Sequence, residues 1–152
     1  MKRKPLTIIT IFTVLLIWAQ SLLPAAASSF ESVTAMKIIL PAWNSLYFLK
    51  WILLDENLVR KLFGHFLEYT ILGAELGGLS FSFHKKYSIL PCLFLGLCVA
   101  CIDEALQFIG INRNPSLLDI GIDFLGILFG MAVTGIIIWA LKLPGKRNTS
   151  AH

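Results

Sequence analysis

The sequence predicts an all-α membrane protein: a polytopic helical bundle of about four transmembrane helices, with an interfacial helix between the first and second. Three observations carry this. The 152 residues are 57% hydrophobic and only 14% charged, whereas soluble domains carry about 25% charged residues. Mean hydropathy is +0.77. Apolar runs at residues 6–27, 62–83, 87–109 and 117–141 approach or exceed the ~20 residues that a helix needs to cross a bilayer. No internal repeat or low-complexity stretch divides the chain, so residues 1–152 read as a single domain.

The net charge of +4 would suggest nucleic acid in a soluble protein. Here the basic residues flank apolar runs and read as topology signals, so no nucleic-acid partner is expected. The three cysteines, Cys92, Cys98 and Cys101, share one apolar run and suggest packing residues, not a disulfide framework.

The first run follows Lys2-Arg3-Lys4 and ends in Ser21-Leu22-Leu23-Pro24 and three alanines. Basic start, apolar centre and small residues match a signal peptide, but the run is long enough to span, and an uncleaved helix is the favoured reading. Residues 28–61 are mixed. Within them residues 37–51 are apolar and aromatic but broken by Pro41, Asn44 and Lys50, and Trp43, Tyr47 and Trp51 suit the membrane–water boundary. An interfacial or partly re-entrant helix is expected there.

Charge counting weighs this against a fifth span. With four spans the inner side holds Lys2, Arg3, Lys4, Lys85, Lys86, Lys142, Lys146 and Arg147, and the outer side Lys37, Lys50, Arg60, Lys61 and Arg113. That is eight against five; with five spans, Lys50 falls in the membrane and the remainder divide six against six. The positive-inside bias favours four spans with both termini cytoplasmic.

The second apolar run carries His65, Glu68 and Glu75 on one helical stripe, with Gly73, Gly77 and Gly78 beside it. The third ends in Asp103, Glu104 and Gln107; Arg113 lies in the following turn; Asp119 and Asp123 open the fourth, whose face continues into Gly126-x-x-x-Gly130. Small residues at this spacing permit close helix contact, which suggests that the second and fourth helices pack together. Under the expected topology His65, Glu68, Asp103, Glu104, Gln107, Arg113, Asp119 and Asp123 gather near one outer-leaflet level. Ionisable groups at bilayer depth cost several kcal/mol unless they face a protein interior or a wet cavity.

Three readings compete for this cluster. Arg113 pairs with a carboxylate while the others form a buried network that fixes helix register. Alternatively, buried carboxylates and His65 supply acid–base chemistry. In the third, His65 and Glu68 with Asp103, Asp119 or Asp123 hold a divalent metal, although no dedicated ligand spacing supports it. Ser116 beside them reads as a cap more readily than as a nucleophile.

At these residues the chain resembles the VanZ-like family of bacterial membrane proteins. The resemblance rests on Arg60-Lys61-x-x-Gly64-His65-Phe66-x-Glu68-Tyr69-x-x-Leu72-Gly73 and on Asp103-Glu104-x-x-Gln107. It continues through Arg113, Asp119-x-x-x-Asp123 and Gly126-x-x-x-Gly130. These blocks cover roughly half the chain. The resemblance implies a multi-pass protein of the bacterial cell membrane, whose namesake is associated with glycopeptide resistance, mainly towards teicoplanin. It assigns no catalytic roles, and Glu75 and the Cys98/Cys101 pair lie outside it.

The expectation from sequence is therefore an outer-facing polar pocket that acts on or binds a cell-envelope component. Arg113 and Gln107 would contact the ligand, and His65, Glu68, Asp103, Glu104, Asp119 and Asp123 are the catalytic candidates. Membrane lipids, and a lipid-linked envelope molecule, are the expected partners. No cofactor and no metal are expected, because the carboxylates have Arg113 and one another as partners. A non-enzymatic binding protein is the first alternative, and a small proton-coupled carrier using Glu68 and Glu75 the second.

Overall fold

The computed structural model describes residues 3–45, 56–82, 89–110, 113 and 115–142. Among them every element is helical: α1 (Arg3–Ser21), α2 (Ala25–Ser45), α3 (Glu56–Val59), a π-helical segment (Arg60–Phe66), α4 (Leu67–Ser82), α5 (Ile89–Ile109) and α6 (Leu117–Lys142). The basic residues Lys2, Lys50, Lys85, Lys86, Lys146 and Arg147, and the aromatic Tyr47 and Trp51, lie outside the described residues.

α1 ends earlier than the expected span at residues 6–27. It stops at Ser21, the Leu23 amide bonds the Gln20 carbonyl at 3.0 Å, and a new helix starts at Ala25. Pro24 explains the break, since a proline forces its preceding residue out of the helical region. The helix expected within residues 37–51 begins earlier, at Ala25, and continues past Pro41 to Ser45; residues 46–51 lie outside the described residues. The Ser45 hydroxyl there bonds the Pro41 carbonyl at 2.8 Å.

Three helices are long and apolar enough to cross a membrane among the described residues: Lys4–Ser21, Ile89–Ile109 and Leu117–Leu141. α2 equals α5 in length at 21 residues but is not among them, diluted by its serines, Glu31, Lys37 and Asn44. α4 itself has 16 residues and gains length only from the seven-residue π segment and four-residue α3 that precede it without interruption. A fourth span therefore depends on the combined rod.

α4 is the centre of the bundle, touching α1, α5 and α6. Its Tyr69, Leu72 and Leu76 meet Ile17 of α1, Val99 and Ala100 of α5, and Ile127 and Met131 of α6. The exterior is apolar: Ile8, Phe12, Phe94, Leu125, Ile136 and Trp139 are all more than half exposed. Polar residues such as Asp103, Asp119 and Asp123 are instead fully inside. That inversion suits a lipid solvent, in which an apolar surface costs nothing and helices associate through packing and internal hydrogen bonds.

α4 and α6 run parallel, and glycine sets their separation. A Cβ on Gly73 would run into the Ile127 backbone, one on Gly126 would stand 2.6 Å from the Phe66 carbonyl, and one on Gly130 2.6 Å from the Ala74 amide. The expected glycine seam is present. Thr134 adds a hydrogen bond across it, to the Ala74 carbonyl at 3.1 Å.

Candidate functional site

The polar residues assemble at one end of the bundle, where the π segment and α6 begin and α1 and α5 finish. Asp103, Glu104, Gln107, Asp119 and Asp123 are each no more than 3% exposed. Burial this complete requires partners for every charge. The helix directions supply them.

Lys61 and His65 are four apart on the π segment, and Asp119 and Asp123 four apart on the parallel α6, so the pairs meet rung by rung. Lys61 Nζ is 2.8 Å from Asp119 Oδ1, and His65 Nδ1 is 3.1 Å from Asp123 Oδ1. Arg60 adds a longer contact to Asp119 at 3.8 Å, and His65 Nε2 lies 4.0 Å from the same carboxylate. A π-helical stretch shifts the register of the residues after it and recurs at functional sites. Here it carries both rungs.

A second set of bonds ties α5 to its neighbours. Gln107 Nε2 donates to Glu104 at 3.0 Å and to Asp103 at 3.4 Å, so this amide positions the two acids. The Ser21 hydroxyl, at the end of α1, donates to Asp103. The Ser116 amide donates to Glu104 at 2.6 Å, while its carbonyl accepts from Asp119 and Ile120. Ser116 thus stands at the N-cap position of α6, and Glu104 holds it there.

Arg113 is half-buried, and its Nη1 donates to the Ser21 carbonyl at 3.4 Å. That carbonyl belongs to the last turn of α1, where a helix leaves acceptors unsatisfied and favours a cation. Asp119 draws its basic partners, Lys61 and Arg60, from the π segment.

A cavity of about 220 Å³ opens against this cluster. His65, Glu68, Asp103, Gln107, Arg113 and Arg60 line it, with Ser21 from α1 and Ala35 from α2. Glu104, Asp119 and Asp123 stand behind that wall. The cavity accordingly offers a cationic side, two carboxylates and an imidazole to one small polar group.

The structure therefore brings together all eight sequence candidates, six in direct contact and Glu68 and Arg113 at the cavity wall. Ser21, Arg60, Lys61 and Tyr69 stand there too; all but Ser21 belong to the motif Arg60-Lys61-x-x-Gly64-His65-Phe66-x-Glu68-Tyr69, which gave them no individual role. Ser21 lies 82 residues from Asp103 and carries no local signal. Lys61 was legible as part of the family motif, four residues before His65. Tyr69, one turn inward from His65, is fully buried with its hydroxyl unpaired.

The family model for VanZ/LLP1 matches residues 6–139. The chain belongs to the VanZ/LLP1 family. The match spans all of the cluster residues, from Ser21 to Asp123. No curated protein and no solved structure matches the chain. As a VanZ/LLP1 membrane protein it places its buried charges at one end of the bundle and leaves the remainder of the described helices almost free of them, Glu75 apart.

Proposed function

We propose that this VanZ/LLP1 protein uses the cavity to act on or bind an anionic component of the bacterial cell envelope, lipid-linked or peptidoglycan-related, and thereby alters glycopeptide access. The observation that carries the reading is the cavity's composition: Arg113 and Arg60 on the same wall as His65 and Asp103. A guanidinium suits carboxylate or phosphate, and its planar fork fixes their orientation. His65, held by Asp123 at 3.1 Å, is the proton carrier. Gln107 and Ser21 hold Asp103 in place, and Glu68 faces the ligand. In this reading the cavity end lies at the outer leaflet, both termini are cytoplasmic, and α2 lies at the interface above the cavity.

Arg113→Ala and Asp119→Asn test it. Each variant is expected to insert at near-normal levels yet lose the phenotype, measured as teicoplanin tolerance or as a change in envelope lipids in cells lacking or overproducing the protein. The double variant should not regain it. A phenotype kept in both single variants would leave the polar end a purely structural clamp.

A small proton-coupled carrier has one observation in its favour. Glu75 sits roughly 15 Å deeper than His65 at 1.5 Å per residue, and Thr13 of α1 donates to it at 2.8 Å. Flux that disappears with Glu75→Gln would favour this reading over the pocket.

A further inference from the structure

His65, Asp103, Glu104 and Asp123 are all buried, and each offers one ligand atom such that the four atoms lie within 4.8 Å of one another. The sequence pattern alone suggested a different metal set, with Glu68 and Asp119. The fold separates these: Asp119 is taken by Lys61 at 2.8 Å, and Glu68 lies at the cavity wall. Glu104, which no metal pattern in the sequence included, enters in their place. Lys61 and Arg60 are engaged by Asp119, which stands outside the four.

A second observation is independent of the ligand geometry. The Tyr69 hydroxyl is wholly buried and has no hydrogen-bond partner. Tyr69 follows Glu68, which lines the cavity, and stands one turn from His65 on the same helical rod. Gln107 Oε1 and Asp123 Oδ2 are likewise buried without a hydrogen-bond partner. Buried polar atoms left unsatisfied together mark the place of a water or an ion. Asp123 belongs to the four, and the Gln107 amide already bonds Asp103 and Glu104, so orphaned atoms stand within the ligand set itself and favour an ion with waters bound to it.

We propose that His65, Asp103, Glu104 and Asp123 form a binding site for one divalent first-row metal ion, with Tyr69 and Gln107 holding its bound water. One imidazole with three carboxylates suits Mn²⁺, Fe²⁺ or Zn²⁺, whereas an all-oxygen set would suit Mg²⁺ or Ca²⁺. Such ions hold nitrogen and oxygen ligands at about 2.0–2.2 Å, which puts opposite ligand atoms about 4.2 Å apart. Neighbouring ligand atoms would stand about 3–3.5 Å apart, so atoms now within 4.8 Å of one another would close in by up to roughly 1–2 Å. An ion also answers the charge problem, since three carboxylates share this water-poor end with one imidazole. The inference goes beyond the pocket reading and does not depend on it: ion binding is measured with no envelope substrate present. A bound His65 serves as ligand and not as proton carrier, so the two roles are separable.

The test uses the untagged full-length chain in detergent, titrated with Mn²⁺ or Zn²⁺ by calorimetry, with Mn²⁺ followed also by electron paramagnetic resonance. The expected result is one ion per chain. Affinity should fall by at least about tenfold in Asp123→Asn and in Glu104→Gln, as for other disturbed metal shells, and stay unchanged in Glu75→Gln. A bound ion should also raise the unfolding temperature of the wild-type chain in proportion to the logarithm of its concentration. If neither cluster variant folds, the wild-type stoichiometry and thermal shift decide. Absence of stoichiometric binding by either ion at millimolar concentration would overturn the proposal. So would binding that both cluster variants leave unaltered.

Discussion

The seam between α4 and α6 has two halves made of different material. From Gly73 and Ile127 inward it is dry, and backbone approaches backbone over Gly73, Gly126 and Gly130. At its outer end the same two helical rods meet through Lys61–Asp119 and His65–Asp123. The dry half gains from dispersion at close contact, which in lipid is a main source of helix association. The charged half gains little net stability, because burying an ion pair sacrifices hydration that the pair only partly returns. Fold and activity are therefore expected to separate along one seam: the dry half holds the bundle and the charged half works.

The largest effect should come from the dry half. A methyl on Gly130 has no room beside the Thr70 carbonyl and the Ala74 amide. Gly130→Ala should force the helices apart and cost more than the ~1–3 kcal/mol typical of overpacking, read as lost inserted protein or a large fall in unfolding temperature. Gly121, on the same helix, has nothing within 4 Å of an added Cβ. Gly121→Ala should be neutral or stabilise by up to about 1 kcal/mol. Equal losses in the two variants would break the distinction.

The next effect sharpens it. Lys61→Ala leaves Asp119, whose side chain is 3% exposed, without its nearest cation, and Lys61 is itself only 24% exposed. A loss of roughly 1–2 kcal/mol is expected, below the ~3–5 kcal/mol of a fully buried pair because water reaches the lysine. Asp119→Asn in the same chain should recover much of that stability, measured by a double-mutant cycle of unfolding midpoints. The smallest effect should be at Glu75. Its glutamine variant keeps an acceptor for Thr13, so stability should change by less than about 0.5 kcal/mol and the cavity should be unaffected.

The sequence made the helical class and the polar end legible for different reasons. Composition alone identifies a lipid-facing exterior, and i, i+4 spacing puts Asp119 with Asp123 on one stripe whatever the tertiary fold. Parallel packing of the second and fourth helices followed from counting turns between spans, and the glycine patterns pointed to the seam. Element boundaries were less legible. Pro24 cut the first run short, yet Pro41 lies inside α2, which continues to Ser45. The partner of Asp119 was also hidden. Arg113 was the arginine in the turn nearest in sequence, but the π segment turned Lys61 and Arg60 towards Asp119 and left Arg113 at the end of α1. Nothing local in residues 60–66 announces a π-helical register.

The most direct measurement of the central claim pairs unfolding temperature with envelope lipid composition for Asp123→Asn. Asp123 is 0% exposed, and asparagine keeps its shape while removing a buried charge. A charged half that exists for function predicts an unfolding temperature equal to or above that of the wild-type chain, together with loss of the lipid change expected of the wild-type protein. A lower unfolding temperature with the lipid change intact would contradict it, and would make the polar end of the seam a structural clamp.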